Sequence, residues 1–291
     1  MYKISIITIN YNNKAGLINT IKSVYSQSWQ DFEYIIIDGN STDGGKEVIL
    51  EYAHKLNYYV IEPDTGIYNA MNKGIKAAKG EFLLFLNSGD TLFNENVLKN
   101  IEMNFSKTYD FYYGDYIQVG NDSKVKIIFP EKLSFTFFYL STLCHQATFI
   151  RRSLFYDHFF YNEEYKIASD WEFFIYCICY KQVPYKYLGQ TIANFDFNGI
   201  SSTGKFKHIS NEERIKTLEK YFLLFSSDYE FMSNFGLIRI QQLINIKKYP
   251  LALKALKACI ILISKFIPKI KNDKFLIVDK KEILKNKKDE T

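Results

Sequence analysis

The sequence lacks the two glycine-rich motifs with which α/β proteins most often bind phosphates. Neither Gly-x-Gly-x-x-Gly nor Gly-x-x-x-x-Gly-Lys-Ser/Thr occurs in its 291 residues, which excludes a dinucleotide-binding fingerprint and a P-loop. Acidic side chains would therefore have to bind any phosphate indirectly, through a metal ion that bridges carboxylate and diphosphate.

Cysteine and histidine are also scarce. The four cysteines show no paired metal-ligand spacing and are too few to cross-link a chain of this length, so we expect free thiols. No two of the four histidines stand at the helical spacing of zinc ligands. No apolar run approaches the roughly 20 residues of a transmembrane helix, and the first residues lack the pattern of a signal peptide. We therefore expect a cytoplasmic protein.

Acidic residues are few near the C-terminus. Residues 240–291 hold 13 lysines and 5 acidic residues, a balance of +8 within a net charge of +5, which leaves −3 for residues 1–239. This asymmetry predicts that the basic part meets an anionic surface, either a membrane or a nucleic acid.

Strand patterns alternate with helix patterns over the first 90 residues. Apolar runs of strand length occupy residues 3–10, 32–38, 58–61 and 82–86, and amphipathic helical patterns separate them. This alternation predicts an α/β fold with a mixed, mostly parallel sheet and flanking helices.

Three of these strands end in polar residues. Asn10-Tyr11-Asn12, Asp38 and Asp90 each follow an apolar run. Because ligands of open α/β sheets bind at the carboxyl ends of the strands, we expect these residues to share a site. For Asp90 alone, an ordinary polar turn is the structural alternative.

Four ordered motifs resemble those of family 2 inverting glycosyltransferases of the GT-A fold. They are residues 6–12 (IITINYN), 36–44 (IIDGNSTDG), 62–75 (EPDTGIYNAMNKGI) and 85–90 (FLNSGD). The resemblance covers residues 1–205 and implies a nucleotide-sugar-binding catalytic domain there. Residues 206–291 are predicted to form a helical, basic extension.

The resemblance also implies roles for single residues. Tyr11 corresponds to the residue that lines the nucleobase pocket, Asp38 to an acid that binds base or ribose, and Asp90 to the last acid of the Asp-x-Asp metal motif. Asn87 and Gly89 stand where the family often has acids, which weakens the metal prediction. The implied donor-binding set is Thr8, Asn10, Tyr11, Asp38, Asp64, Lys73, Ser88, Gly89 and His145.

A later motif, Asp170-Trp171-Glu172, resembles the family's Asp-aromatic-Asp/Glu sequence. The resemblance implies that Asp170 is the catalytic general base and that Glu172 supports it or orients the acceptor. The alternative is that Ser169 or Asp170 simply caps a helix. His145 is either a site residue or a packed core histidine.

Two segments near the C-terminus have alternative interpretations. The loop at residues 199–205 is either a lid over the diphosphate, with Lys205 or Lys207 reaching phosphate, or the last turn of the domain. Residues 251–267 are apolar on most faces but carry Lys254, Lys257 and Lys265. They form either a packed helix of a small bundle or a basic amphipathic helix on a membrane surface.

The resemblance predicts an inverting glycosyltransferase that moves a sugar from a UDP-linked donor to a saccharide, with Mg²⁺ or Mn²⁺ as cofactor. The implied setting is surface polysaccharide assembly on a lipid-linked acceptor, at the cytoplasmic face of the membrane. A nucleotidyltransferase and a catalytically degenerate nucleotide-binding scaffold are the alternatives. Nucleic-acid binding is disfavoured because the aromatic residues of 208–267 follow helical core spacing.

Overall fold

The computed structural model describes residues 3–120, 123–197, 206–225, 242–243 and 245–266. Nine strands occur in this part of the chain. They are β1 (Ile4–Asn10), β2 (Phe32–Asp38), β3 (Tyr58–Ile61), β4 (Phe82–Phe85), β5 (Thr91–Leu92), β6 (Phe111–Val119), β7 (Lys124–Ile127), β8 (Thr148–Arg151) and β9 (Tyr185–Asp196).

The α-helices connect these strands and follow the last of them. They are α1 (Lys14–Tyr25), α2 (Gly45–Tyr52), α3 (Ile67–Ala77), α4 (Val97–Glu102), α5 (Phe135–Leu140), α6 (Ser153–Asp157), α7 (Ser169–Ile175), α8 (Lys207–Phe222) and α9 (Pro250–Ser264). A π-helical turn, Tyr176–Tyr180, extends α7.

The strands form one sheet in the order β3-β2-β1-β4-β8-β6-β9-β5, with β7 paired to β6. The first four strands are mutually parallel, whereas β8 runs antiparallel to both β4 and β6. The predicted mixed α/β class is therefore confirmed. Strand β6 lies inside the sheet because β8 and β9 flank it.

Strands β1 and β2 are buried on both faces. Alternate residues of a strand point to opposite faces. Ile6 and Ile36 pack in one apolar cluster with Leu17 and Ile21 of α1. Residues of the opposite face lie under α3, where Gly74 allows close contact with Ile7. This two-sided cover explains the nearly continuous apolar sequence of both strands.

The chain divides into compact units 1–226 and 227–291. Helix α8 belongs to the first unit, beyond the predicted boundary at residue 205. Helix α9 is the main described element of the second unit. None of the described helices has the length and apolar character needed to cross a bilayer.

Candidate active site

The ends of β1 and β2 are joined by a hydrogen-bond network around Asp38. Asn10 pairs with Asp38 in register and donates to its Oδ2 at 2.7 Å. The N–H of Ser41 donates to Oδ1 and its hydroxyl to Oδ2, both at 2.8 Å. Asp38 is fully buried, so its carboxylate holds the loop after β2 in shape.

The side chains of Tyr11 and Asp64 both lie next to Gly39. Tyr11 is 66% exposed. A Cβ at position 39 would lie 2.5 Å from Asp64 Oδ2 and 3.0 Å from the Tyr11 ring, so any other residue would displace these side chains. Burial raises the pKa of Asp64, whereas a hydrogen bond from Gly66 N–H and the charge of Lys73 oppose the rise. An exposed ring beside a half-buried acid could hold a nucleoside.

Two carboxylates lie at the turn after β4. Asp90 is buried and accepts hydrogen bonds from the Asp196 N–H at Oδ1 and from Gln146 Nε2 at Oδ2, both at 2.9 Å. Burial raises the pKa of Asp90 to about 6, and the charge of Asp196 adds to the rise. The two hydrogen bonds and His145 act in the opposite direction.

Gly89 brings the second carboxylate close to this turn. Its φ is +107°, and a Cβ there would lie 3.0 Å from Asp196 Oδ2. The Gly89 N–H donates to Thr20 Oγ1 at 3.0 Å, and the neighbouring Ser88 carbonyl accepts from Asn13. The backbone of the turn is thus held from α1 and the loop before it.

The acidic pair fits a hard divalent cation. Such ions take one or two protein carboxylates and complete their shell with water and substrate phosphate oxygens. Within the described residues, no group of three or more His, Cys, Asp and Glu side chains could hold a metal ion. Asp90 and Asp196 could therefore hold a cation only together with a phosphate-bearing ligand or water.

Asp170 sits in a pocket of hydrogen-bond donors at the start of α7. Tyr68 OH and the Trp171 N–H donate to its Oδ1, at 3.0 and 2.9 Å. His145 Nδ1 lies 3.1 Å from Oδ2. Ala168, rather than Ser169 or Asp170, takes the N-cap position and makes no side-chain cap, so the capping interpretation is wrong. Oδ1 thus has two donors and Oδ2 has one.

His145 bridges two parts of the site. Its Nε2 lies 3.2 Å from the amide nitrogen of Asn87, in the turn after β4. The ring also meets the Phe85 ring edge to face, with centroids 6.4 Å apart. His145 is therefore both packed and hydrogen-bonded, and it connects the Asp90 turn to Asp170.

Glu172 shares none of the hydrogen-bond partners of Asp170 named above. It is buried, and its Oε1 accepts from Lys220 Nζ of α8 at 3.3 Å. Burial raises the pKa of Glu172, and Lys220 opposes the rise. The structure thus directs Glu172 towards α8.

Helix α8 supports α7 through two consecutive residues. Glu213 accepts the backbone N–H groups of Lys166, Ile167 and Ala168, at 2.6, 3.1 and 2.9 Å. The guanidinium of Arg214 stacks on the Trp171 ring at 4.9 Å from its centroid. Burial lowers the pKa of Arg214, whereas Asp170 and Tyr68 oppose the change. α8 therefore fixes the backbone that carries Asp170.

The remaining predicted donor-site residues fall in different places. Thr8 is fully buried and donates to the Leu86 carbonyl at 2.8 Å, beneath the strand ends. Lys73 forms an ion pair with Glu62 at 2.7 Å, close to Asp64. The predicted lid at 199–205, with Lys205, lies outside the described residues. Lys207 is the exposed first residue of α8.

Sequence analysis missed Asp196, Gln146 and Tyr68. Asp196 ends β9 as Asp38 ends β2, so the same signal, an acid at the end of a strand, could have identified it. Gln146 follows His145 directly, and Tyr68 lies inside the third motif. Their partners are distant in sequence and depend on the strand order.

A family model decides the assignment. The model described as "Glycosyl transferase family 2" matches residues 5–159, more than half of the chain. This chain belongs to glycosyltransferase family 2. The predicted family and enzyme class are thereby confirmed, and the nucleotidyltransferase alternative is discarded.

Proteins named as glycosyltransferases resemble this chain. The "PGL/p-HBAD biosynthesis glycosyltransferase" of Mycobacterium bovis (strain BCG / Pasteur 1173P2) is 32% identical over 206 residues, covering 68% of this chain and 79% of that protein. The Escherichia coli "UDP-Glc:alpha-D-GlcNAc-diphosphoundecaprenol beta-1,3-glucosyltransferase WfgD" is 29% identical over 136 residues, covering 46% and 54%.

Solved structures show the same fold. A fragment of S. aureus TarS, residues 1–349, has a TM-score of 0.56 at 22% identity, covering 67% of this chain and 60% of that one. The mannosyltransferase PcManGT of Pyrobaculum calidifontis, in complex with GDP-Man and Mn²⁺, has a TM-score of 0.54 at 14% identity, covering 89% and 75%. The predicted GT-A fold is confirmed.

Proposed function

We propose that this family 2 enzyme transfers a sugar, with inversion, from a nucleotide-diphosphate donor to a saccharide acceptor. One observation carries the proposal. The consecutive residues His145 and Gln146 contact Asp170 and Asp90, at 3.1 and 2.9 Å respectively. A carboxylate suited to accept a proton and one suited to face a diphosphate are thus held at a fixed separation by a single short segment.

Asp170 acts as the general base in this proposal. Its Oδ1 is occupied by Tyr68 and Trp171 N–H, whereas Oδ2 receives only His145. Oδ2 takes the proton of the acceptor hydroxyl while that oxygen bonds to the anomeric carbon. The bond from this carbon to the diphosphate oxygen breaks on the opposite face, and the nucleoside diphosphate departs. A single displacement inverts the anomeric centre, and one base suffices.

Asp90 and Asp196 would hold Mg²⁺ or Mn²⁺ in this proposal, together with the donor diphosphate. The bound cation would stabilise the negative charge of the leaving diphosphate as a Lewis acid. The chain's own contribution is to hold the two carboxylates close together. Burial raises the pKa of Asp90 and the charge of Asp196 adds to the rise, whereas a bound cation would favour the ionised form.

Tyr11, Asp38 and Asp64 form the nucleoside side of the proposed site. The exposed Tyr11 ring stacks on the base, and Asp64 lies across Gly39 from it. Asp38 acts mainly by shaping the loop, since both its oxygens already accept hydrogen bonds. We propose UDP as the nucleotide, which agrees with the UDP-Glc in the name of WfgD and with TarS complexes that contain UDP and UDP-GlcNAc.

The proposed acceptor is a lipid-linked saccharide used in surface polysaccharide synthesis. Support comes from the diphosphoundecaprenol acceptor in the name of WfgD and from α9. Exposed apolar residues line this helix and its end: Leu251, Ile260, Ile261, Leu262, Ile263 and Phe266. The helix carries Lys254 and Lys257 but no acidic residue. These features suit the cytoplasmic surface of an anionic membrane.

Calorimetry tests the donor. UDP, GDP, CDP and dTDP are titrated into the protein with Mn²⁺ and with EDTA, for wild type, Asp196→Asn and the exposed-site control Asp31→Asn. We expect UDP to bind best, in a metal-dependent manner that Asp196→Asn loses and Asp31→Asn retains. If no nucleotide binds in any condition, the protein is a degenerate scaffold and the proposed transfer is wrong.

Vesicle flotation tests the membrane surface. The full chain is mixed with vesicles of phosphatidylcholine alone or with added phosphatidylglycerol. We expect binding only to the anionic vesicles and a clear loss in the double variant Lys254→Glu/Lys257→Glu. The double variant Lys99→Glu/Lys107→Glu, on exposed sites of the first unit, should bind as wild type. Equal binding by both double variants would contradict the role of α9.

A further inference from the structure

The two polar contacts of His145, with Asn87 and with Asp170, indicate the same position for its ring proton. The Asn87 amide nitrogen, which is only a donor, faces His145 Nε2 at 3.2 Å. Nε2 must therefore accept, and in the neutral ring the proton resides on the other nitrogen, Nδ1. Nδ1 faces Asp170 Oδ2 at 3.1 Å. The three side chains thus form a directed chain of donors from Asn87 to Asp170.

We propose that Asn87 and His145 are positioning residues that orient Asp170 with a neutral donor. This inference rests on the proposed function, in which Asp170 is the base. One N–H on Oδ2 fixes the carboxylate plane, together with Tyr68 and the Trp171 N–H on Oδ1. The second lone pair of Oδ2 is left for the proton of the acceptor hydroxyl.

The inference gives a reason for asparagine at a position where the family often has an acid. A carboxylate at position 87 could only accept, so His145 would need a proton on Nε2 as well as on Nδ1. The ring would then be a cation between two carboxylates, stabilised by both. A cation beside Asp170 favours its ionised form and so weakens its affinity for the acceptor proton. Asn87 avoids this ion pair.

The side-chain amide of Asn87 has few other hydrogen-bond partners within reach. Asn87 Oδ1 is buried and has no hydrogen-bond partner among the described residues, so the amide is held mainly through its nitrogen. The ring of His145 also packs on Phe85. The other titratable groups that face Asp170 from the packed elements are Tyr68, Cys144, Tyr161 and Arg214.

Nitrogen-15 NMR of the histidine rings tests the tautomer without any need for activity. The chain has four histidines, and the variant His145→Gln identifies the signals of His145. At pH 7.5 we expect wild-type His145 to be neutral with its proton on Nδ1. In Asn87→Asp we expect both nitrogens protonated at the same pH. Asn100→Asp, an exposed helical site with the same charge change, should leave the signals as in wild type.

A wild-type ring with its proton on Nε2, or an unchanged neutral ring in Asn87→Asp, would overturn the inference. The profile of kcat/KM against pH adds a second readout. In Asn87→Asp we expect the plateau of kcat/KM to fall, because a cationic ring beside Asp170 makes it a weaker base. His145→Gln, which can still donate to Asp170, should retain more activity than His145→Leu.

This experiment separates the inference from the proposed function. If donor binding is present and the NMR result is as expected but Asp170 variants remain active, the proposed role of the base is wrong. If Asp170 variants are inactive but His145 is protonated on Nε2, only the inference about Asn87 is wrong.

Discussion

The backbone N–H of Asp196 donates a hydrogen bond to Asp90 Oδ1 at 2.9 Å, across 106 positions of sequence. The bond joins the last residue of β9 to the turn after β4 and brings a second carboxylate beside Gly89. Because Asn87 and Gly89 replace acids within the Asp90 turn, the second acid comes from a distant strand.

Asp90 should make the metal-free protein less stable as the pH rises. Its pKa in the fold is about 6, above the ordinary 3.8, mainly because it is buried. The protonated form is therefore favoured by folding, so its stabilisation is full below about pH 4 and is lost as the pH rises through 6. A shift of this size corresponds to about 3 kcal/mol.

Chemical unfolding in EDTA between pH 4 and 7.5 measures this contribution. In Asp90→Asn the free energy of unfolding should fall less with rising pH than it does in wild type. The exposed-site control Asp31→Asn should follow the wild-type slope. Parallel profiles for Asp90→Asn and wild type would contradict the buried, raised pKa.

Gly89→Ala should disturb the site through one added methyl group. The residue has φ +107°, and its Cβ would lie 3.0 Å from Asp196 Oδ2. Strained backbone of this kind costs on the order of 1–3 kcal/mol. Gly189→Ala is the matched control, since Gly189 also has a positive φ, +66°, but nothing within 4 Å of a Cβ.

We expect both glycine variants to lower the melting temperature, and only Gly89→Ala to weaken Mn²⁺-dependent nucleotide binding as well. Calorimetry and thermal unfolding measure the two effects separately. Nucleotide binding that is equally weak in both variants would mean that backbone strain, rather than the position of Asp196, explains the loss.

Tyr11→Ala should weaken nucleotide binding while leaving the fold intact, because the ring is 66% exposed. Stacking of a base on an aromatic side chain contributes roughly 1–3 kcal/mol, which is roughly a 5- to 150-fold change in Kd. Tyr11→Phe should bind as wild type. Tyr249→Ala removes a ring of similar exposure, 64%, and should have no effect. A full loss in Tyr11→Phe would indicate a role for the hydroxyl instead.

Asp170→Asn should lower kcat by roughly 10²–10⁴-fold, the range of general-base catalysis, because the amide cannot take a proton. The Kd for the donor nucleotide should change little, since Asp170 contacts Nδ1 of His145, whereas the turn that bears Asp90 contacts Nε2. Steady-state kinetics and calorimetry on the same preparation test both parts. A parallel loss of donor binding would make Asp170 a pocket residue.

Single strands and helices could be predicted from the sequence, because the periodicity of apolar residues depends only on neighbouring positions. The ends of β1, β2 and β4, with Asp38 and Asp90, follow from such patterns. Asp196 carries the same signal at the end of β9, but its place beside Asp90 could not be predicted, since it depends on β9 pairing with β5 and β6. Which distant strands pair is a property of the whole sheet.

Depth along a strand was the second limit. Thr8 and Asn10 lie on the same face of β1, yet Thr8 donates to Leu86 beneath the strand ends while Asn10, the last residue, donates to Asp38. The local pattern does not show which residue of the strand reaches the site. The direction of Glu172 was a third limit, because its contact with Lys220 of α8 decides it.

Glu213 accepts hydrogen bonds from three backbone N–H groups of residues 166–168. These bonds determine where the chain could be cut or joined to a related enzyme. A fragment that stops at residue 205 would keep every sequence motif of the family but would leave these groups of residues 166–168 without their acceptor. The helix that bears Asp170 would then lose its support from behind. Exchange of C-terminal segments between related enzymes should therefore be made after α8, near residue 226, so that each recipient keeps its own Glu213.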